Sequence, residues 1–236
     1  MDSLYVVMPA YNEEANIEAV VKQWYPVLLG KDAHSRLIIA DAGSSDRTHE
    51  ILTELKETHP QLEILTDSDR QHGPKVIALY KKAIEDGIDY VFQTDSDGQT
   101  DPAEFNAFWD ERTLYEGIFG NRTIRGDGKS RAFVERVVCM LVHHFFRVRV
   151  PDANAPFRLM NVKTLAPYVE KLPGDYNIPN IMITAFYVHD HRKTCFKEIS
   201  FKPRQGGVNS INIRKIVKIG WKALADFRGF RKMMKG

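Results

Sequence analysis

Short apolar runs alternate with longer amphipathic stretches through the first hundred residues, and the alternation predicts strand and helix in turn. Leu4 to Met8 is rich in β-formers and stops at Pro9-Ala10-Tyr11-Asn12-Glu13-Glu14, where Asn12 reads as the N-cap of a helix with Ile17, Val20, Val21 and Trp24 on its apolar face. Leu37 to Ala40 is a second strand, ending in Asp41-Ala42-Gly43-Ser44-Ser45-Asp46-Arg47-Thr48 ahead of a helix carrying Ile51, Leu52 and Leu55. Leu62 to Leu65 is a third, followed by Arg70-Gln71-His72-Gly73-Pro74-Lys75 and a helix with Ile77, Ala78, Tyr80 and Ile84. Tyr90 to Thr94 is the fourth. Strand–helix alternation at this spacing predicts a doubly wound, mostly parallel α/β sheet with right-handed crossovers and helices on both faces.

Beyond Pro102 the pattern loosens. Glu104 to Tyr115 reads as a helix, Gly117 to Arg122 as a short strand, and Arg131 to Val150 as a long helix that is apolar nearly all round. Asp152 to Met160 reads as loop and strand, Asn180 to Val188 as a helix, and Cys195 to Phe201 as a strand. A tail begins at Arg204-Gln205-Gly206-Gly207.

Charge adds to the picture at that tail. The 236 residues sum to +2, yet Val208 to Gly236 holds eight Lys or Arg against the single acid Asp226. The tail is therefore +7 and the body −5. On a helix, Ile213, Ile216, Val217, Gly220, Leu224 and Phe227 share one face and Arg214, Lys215, Lys218 and Lys222 the other, the pattern of a helix lying in a membrane interface. The expected division is residues 1–207 as the globular domain and 208–236 as a basic amphipathic extension. Met1-Asp2 leads straight into a strand-like run, and no uncharged apolar segment reaches 18 residues, so neither a leader nor a spanning helix is expected. Two cysteines make no disulfide framework. The expected location is the cytoplasm, peripherally against a membrane. The apolar helix from Arg131 is a surface for a second copy of the chain or a membrane partner, if it is not simply core. No aromatic-and-basic stacking platform speaks for nucleic acid.

Candidate chemistry gathers where the first four strands end. These loops lie on one sheet edge, the edge at which open α/β sheets take their ligands. Asp95-Ser96-Asp97-Gly98-Gln99 supplies two carboxylates, an amide and a glycine that permits a sharp turn, which suits a divalent ion that must also hold a diphosphate. Lys75 and the helix N-termini there suit an anionic nucleotide. Neither a GxGxxG nor a GxxxxGK[ST] string occurs, nor a Gly-x-Ser-x-Gly elbow or a zinc-spaced His/Cys cluster. His143-His144 and His189-Asp190-His191 read as structural or solvated.

Val7 to Glu13, Asp41 to Thr48 and Gln93 to Gln99 resemble, in order and spacing, the motifs of family-2 glycosyltransferases of the GT-A fold. Asp152 to Met160 and Pro203 to Ser210 are similar to the dolichyl-phosphate mannose synthase and polyprenyl-phosphate glycosyltransferase branch, and the resemblance covers roughly residues 4 to 220. It implies that Pro9, Tyr11, Glu13 and Asp41 line the base and ribose of a nucleotide-sugar, and that Asp95, Asp97 and Gln99 hold Mg²⁺ or Mn²⁺ against the diphosphate. Relatives usually read Asp-Asp-Gly-Ser, and Ala42 stands here in place of the second Asp.

The expected reaction is an inverting, metal-dependent transfer of a sugar from a nucleotide-sugar to a polyprenyl- or dolichyl-phosphate, resting on Asp97, Asp152 and Arg204. A phosphate acceptor is already anionic and needs cations, for which Arg122, Arg125, Arg131 and Arg204 are the candidates. A glycan or glycolipid hydroxyl would need a carboxylate base, with Asp152 the first suspect. No Gln-x-x-Arg-Trp string occurs, which argues against a processive polysaccharide synthase. The alternative outside catalysis is a silent nucleotide-sugar binding partner.

Overall fold

The computed structural model describes residues 1–126, 129–203 and 224–233. A seven-stranded sheet forms the centre, in the order β3-β2-β1-β4-β6-β5-β7. Its strands are β1 (Leu4–Ala10), β2 (Arg36–Asp41), β3 (Leu62–Leu65), β4 (Tyr90–Thr94), β5 (Gly117–Arg125), β6 (Phe157–Asn161) and β7 (Thr194–Phe201). β3, β2, β1 and β4 are mutually parallel, as are β5 and β7, and β6 runs antiparallel to both β4 and β5.

Strand β1 is buried along its whole length, because helices cover both faces of the sheet. Tyr5 and Val7 point into a core shared with α3 (His72–Glu85), α5 (Lys129–Phe146), α6 (Val162–Val169) and α7 (Pro179–His189). Leu4, Val6 and Met8 alternate into the opposite core, under α1 (Ile17–Trp24), α2 (Thr48–Thr58) and α4 (Phe105–Trp109). The second core is strongly aromatic. Trp24 stacks on Phe92 at 5.4 Å between centroids, and Phe157 meets Phe92 edge-on at 4.7 Å. Truncating one of these rings to alanine typically costs about 3–5 kcal/mol.

Several elements depart from the expectation. Asn12 caps no helix: it takes a left-handed backbone at φ 54°, and α1 starts at Ile17 after Asn16. The helix expected over Glu104 to Tyr115 is only Phe105–Trp109, because the polar Asp110-Glu111-Arg112 run turns instead. β5 extends three residues further than expected, through pairing with β7 up to Arg125↔Phe201. α5 stops at Phe146, where Arg147 adopts φ 61° and the β-branched Val148 and Val150 continue extended. The short helix α6 was not anticipated. Its cap is Asn161, whose Oδ1 accepts from the Thr164 N–H at 3.2 Å, and Pro167 inside it masks the helical pattern.

The end of the tail belongs to the domain's packing. Residues 224–233 form a helix, α8. Phe227 is buried against Phe145 and Phe146, and Phe230 against Tyr176 and Phe186. Part of the face assigned to a membrane interface, at Leu224 and Phe227, thus meets protein. The rest of that face, from Ile213 to Gly220, lies outside the described residues, as does Arg204. No helix among the described residues is long and apolar enough to cross a membrane.

Candidate active site

The chain crosses from the β3 side of β1 to the β4 side through α3, so the sheet's topological switch lies between the C-terminal ends of β1 and β4. Two side chains tie the crevice together there. Ser96 Oγ donates to the Pro9 carbonyl at 2.8 Å, pinning the middle of the acidic turn to β1, and Lys75 Nζ reaches from α3 to the Ala10 carbonyl. Lys75 is 1% exposed, with Nζ 5.2 Å from the centroid of the exposed Tyr11 ring. Burial pulls its pKa down to about 8, against the upward pull of Asp41 and Asp69.

The β1 and β2 loops are stitched to each other. Asn12 Oδ1 accepts from the Ser45 N–H at 2.8 Å, its own N–H donates to Ser44 Oγ at 3.0 Å, and the Glu13 N–H donates to Thr48 Oγ1 at 2.8 Å. Reaching Ser45 is what places Asn12 in the left-handed region, a conformation Asn tolerates better than most residues. Asp41 is buried, with one oxygen accepting from Ser44 Oγ and the other 3.1 Å from His49 Nδ1. The buried Glu13 carboxylate accepts from Asn16 Nδ2. Pro9, Tyr11, Glu13, Asp41 and Lys75 therefore converge on one crevice, with Tyr11 as its open ring.

Asp95 and Asp97 stand on the far wall, both partly exposed. Asp95 Oδ1 lies 3.1 Å from His72 Nε2 and 3.3 Å from Gln93 Nε2, while the Gln99 N–H donates to Asp97 Oδ1. Gly98 between them takes φ 73°, the positive angle expected of the turn. Burial opposes a charge on His72, but Asp95 and then Asp97 outweigh it and raise the imidazole pKa. Gln99, the third residue expected to face the ion, closes the turn. It is buried, and its Nε2 donates to the Lys202 carbonyl at 2.7 Å, so it tethers the turn to the end of β7. Among the described residues no group of three His, Cys, Asp or Glu encloses an ion by itself. The donor set fits a divalent ion whose remaining positions are filled by diphosphate oxygens and water.

Behind Asp95 lies a network the sequence did not reveal. Asn180 Nδ2 donates to Gln93 Oε1 at 2.9 Å, and Tyr80 OH donates to Asn180 Oδ1 at 3.2 Å. Arg158 is fully buried beside it and donates to the carbonyls of Ala155 and Asn180 and to Thr184 Oγ1. Its signal was a lone arginine in an apolar strand, at Phe157-Arg158-Leu159.

On the acceptor side, two of the expected residues are joined in a buried cluster. Arg122 and Asp152 face each other: Nε and Nη2 of the guanidinium meet the two carboxylate oxygens at 2.7 and 2.8 Å, with side chains 7% and 3% exposed. Nη2 also reaches Glu135 Oε2 at 3.1 Å. Burial would raise the Asp152 pKa, yet Arg122 outweighs it and holds the group low, whereas burial and the Asp152 charge push Glu135 up. Arg122 is thus engaged by two acids rather than presented to a phosphate, and Asp152 is a poor base. Arg131 stands half-buried on the first turn of α5. The side chain of Arg125 is outside the described residues.

The fold is that of GT-A-type transferases. The structure of glucosyl-3-phosphoglycerate synthase from Mycobacterium tuberculosis, in complex with Mn²⁺, UDP and its product, superposes with a TM-score of 0.67 at 17% identity, over 98% of this chain and 80% of that one. The chain belongs to Glycosyl transferase family 2, whose pattern matches residues 5–161. It is 33% identical over 112 residues to a UDP-N-acetylglucosamine–dolichyl-phosphate N-acetylglucosaminyltransferase of Methanococcus voltae, covering 42% of this chain and 43% of that one. It is 23% identical over 218 residues to an undecaprenyl-phosphate 4-deoxy-4-formamido-L-arabinose transferase of Pectobacterium carotovorum, covering 91% and 64%. The chain spans about half the length of the curated relatives it matches.

Proposed function

We propose that the chain transfers a sugar from a nucleotide-sugar to a polyprenyl-phosphate, with inversion at the anomeric carbon and with a divalent ion at Asp95 and Asp97. The nucleotide would lie over the Pro9–Glu13 and Asp41 loops, its base against Tyr11 and its diphosphate between Lys75 and the acidic pair. A bound ion there would act as a Lewis acid on the departing diphosphate. Lys75 adds a fixed positive charge on the opposite side of the crevice.

The observation that carries the choice of acceptor is the state of Asp152. A hydroxyl acceptor needs a base, and the carboxylate expected to supply it is buried and ion-paired with Arg122. A lipid phosphate needs no base, only cations, for which Arg125, Arg131 and Arg204 are the candidates. The names of the Methanococcus and Pectobacterium relatives, which both act on lipid phosphates, support the same reading. Peripheral attachment to a membrane would fall to the basic stretch before α8 and to α5, where Phe133 and Met140, seven residues apart on one helix, are 64% and 57% exposed.

The test uses purified protein, Mn²⁺ or Mg²⁺, labelled nucleotide-sugars and two acceptor classes, short-chain polyprenyl-phosphate and simple glycosides. Label in the lipid phosphate is the expected result. Label only in glycosides would move the acceptor to a hydroxyl and demand a base other than an ion-paired Asp152.

A further inference from the structure

The sheet edge opposite the donor crevice carries a cavity that sugar transfer does not use. α7 begins next to Asn180, behind Asp95, and runs about 16 Å away to His189. β7 then starts beside Gly117, the first residue of β5. In that corner the ends of α5, α7 and α8 enclose about 270 Å³. We propose that this cavity binds a phosphate monoester carrying a small apolar group, at a site separate from the donor crevice.

The lining has two parts. Phe145, Phe146 and Val188 form an apolar floor, and the guanidinium groups of Arg147 and Arg231 join the imidazole of His191 around it. Among the described residues no acid lines the cavity, and no ion pair engages Arg147, Arg231 or His191. The neighbouring acid, Asp190, is taken up by His189 Nδ1 at 2.8 Å and by the Tyr168 hydroxyl at 2.9 Å. Two open arginines favour a phosphate, which each can meet with two N–H donors. The floor favours an ester over a bare ion. The volume, just under the roughly 300–1,000 Å³ of ordinary ligand pockets, keeps that ester small.

The backbone is a second, independent sign. Among the described residues, the non-glycine positions with a left-handed backbone are Asn12, Arg147 and His191, at φ 54°, 61° and 53°. Asn12 belongs to the donor crevice. Arg147 and His191 follow the ends of α5 and α7, a place that ordinarily goes to glycine, and both line this cavity. Side chains held in that region carry strain, which gathers at ligand sites. A helix C-terminus also attracts cations through its own dipole, and arginines acting only as caps would bind no ligand.

Calorimetric titration with phenyl phosphate, and with inorganic phosphate and phenol as its two halves, separates these roles. Phenyl phosphate should bind about tenfold or more tighter than either half. It should lose about tenfold or more in Arg147→Gly and in Arg231→Gln, and bind unchanged in Lys75→Met, which alters only the donor crevice. Arg147→Gly should melt no lower than the wild type, since glycine adopts φ 61° freely, and should keep full transfer activity. Vesicles containing phosphatidic acid distinguish the source. Retention lost in the same two variants places the monoester on a lipid, and phenyl phosphate binding without retention places it on a soluble ester. Binding no tighter than that of inorganic phosphate, or surviving both arginine substitutions, would overturn the site and leave the arginines as helix caps. Loss in Lys75→Met would overturn it by moving the ligand to the donor crevice.

Discussion

Asp95 and Asp97 follow strand β4 within reach of solvent, whereas Asp152, in the loop that leads into β6 beside it, is walled in with Glu135 around Arg122. The same residue type at one sheet edge has opposite uses. Around the first pair stand an imidazole, an amide and the Gln99 backbone N–H, each meeting a single carboxylate oxygen. Around the second, a bidentate guanidinium occupies both oxygens. Solvent reaches the first pair. The second is enclosed together with its own cation.

The largest effect should come from the open pair. Asp97→Ala should lower transfer by about 10²–10³-fold or more, the scale on which a group stabilising developing charge acts. Thermal stability should change little, because the residue is partly exposed on a turn. Activity retained within a factor of a few would remove Asp97 from the site.

The closed cluster should respond in the reverse way. Asp152→Ala leaves Arg122 buried without its bidentate partner, and breaking a buried ion pair from one side costs about 3–5 kcal/mol. For a domain of this size that corresponds to a fall in Tm of roughly 6–20 °C. At temperatures where the variant is folded, the activity of a phosphate-acceptor enzyme should survive in large part. A variant that is fully stable yet inactive would restore Asp152 as a base and break the contrast.

How far this contrast was legible in the sequence depends on what each half is built from. The donor half consists of continuous apolar runs, each closed by Pro, Asp or Gly, and both the strands and the position of Asp95 and Asp97 follow from that punctuation. The turn's tether did not, since Gln99 donates to the Lys202 carbonyl, 103 residues further on. The acceptor half depends on pairings made by topology. β6 enters between β4 and β5 in the antiparallel sense, which no periodicity records. That insertion carries Asp152 to Arg122, 30 residues away in sequence, while α5 brings Glu135. Read singly, Arg122 and Asp152 were an open cation and an open base. His72 was visible as a loop residue, but its approach to Asp95 exists only through the crossover of α3.

A smaller effect on the donor side comes from Lys75. Its depressed pKa of about 8 means that the ammonium is present below that pH and lost as pH rises through it. Nucleotide-sugar affinity should accordingly weaken above about pH 8, and Lys75→Met should bind donor about tenfold less tightly while flattening that dependence. Calorimetric titration of donor between pH 6.5 and 9.5 gives both readings. An equally steep profile in the variant would assign the titration to another group.

The smallest effect, and the finest test of the closed cluster, concerns Glu135. Its folded pKa lies above the ordinary glutamate value of 4.5, because burial and the neighbouring Asp152 charge favour the protonated acid. The folded state therefore binds more protons than the unfolded chain across the interval from 4.5 up to the folded pKa, and stability declines as pH rises through it. Asp152 works in the opposite sense: its pKa is held below 3.8, so its contribution is present above that value and is lost as pH falls through the folded pKa. Glu135→Gln keeps a neutral side chain beside Asp152 at every pH, with an N–H in place of the acid's O–H and an oxygen still able to accept from the Ala153 N–H. Urea unfolding from pH 4 to 8 should show the wild-type decline above 4.5 vanishing in the variant, while the loss at low pH remains. The net change near pH 4.5 should be within about 1 kcal/mol, the scale of one exchanged hydrogen bond. An unchanged decline would mean that Glu135 is ionised beside Asp152, with Arg122 neutralising both acids at once.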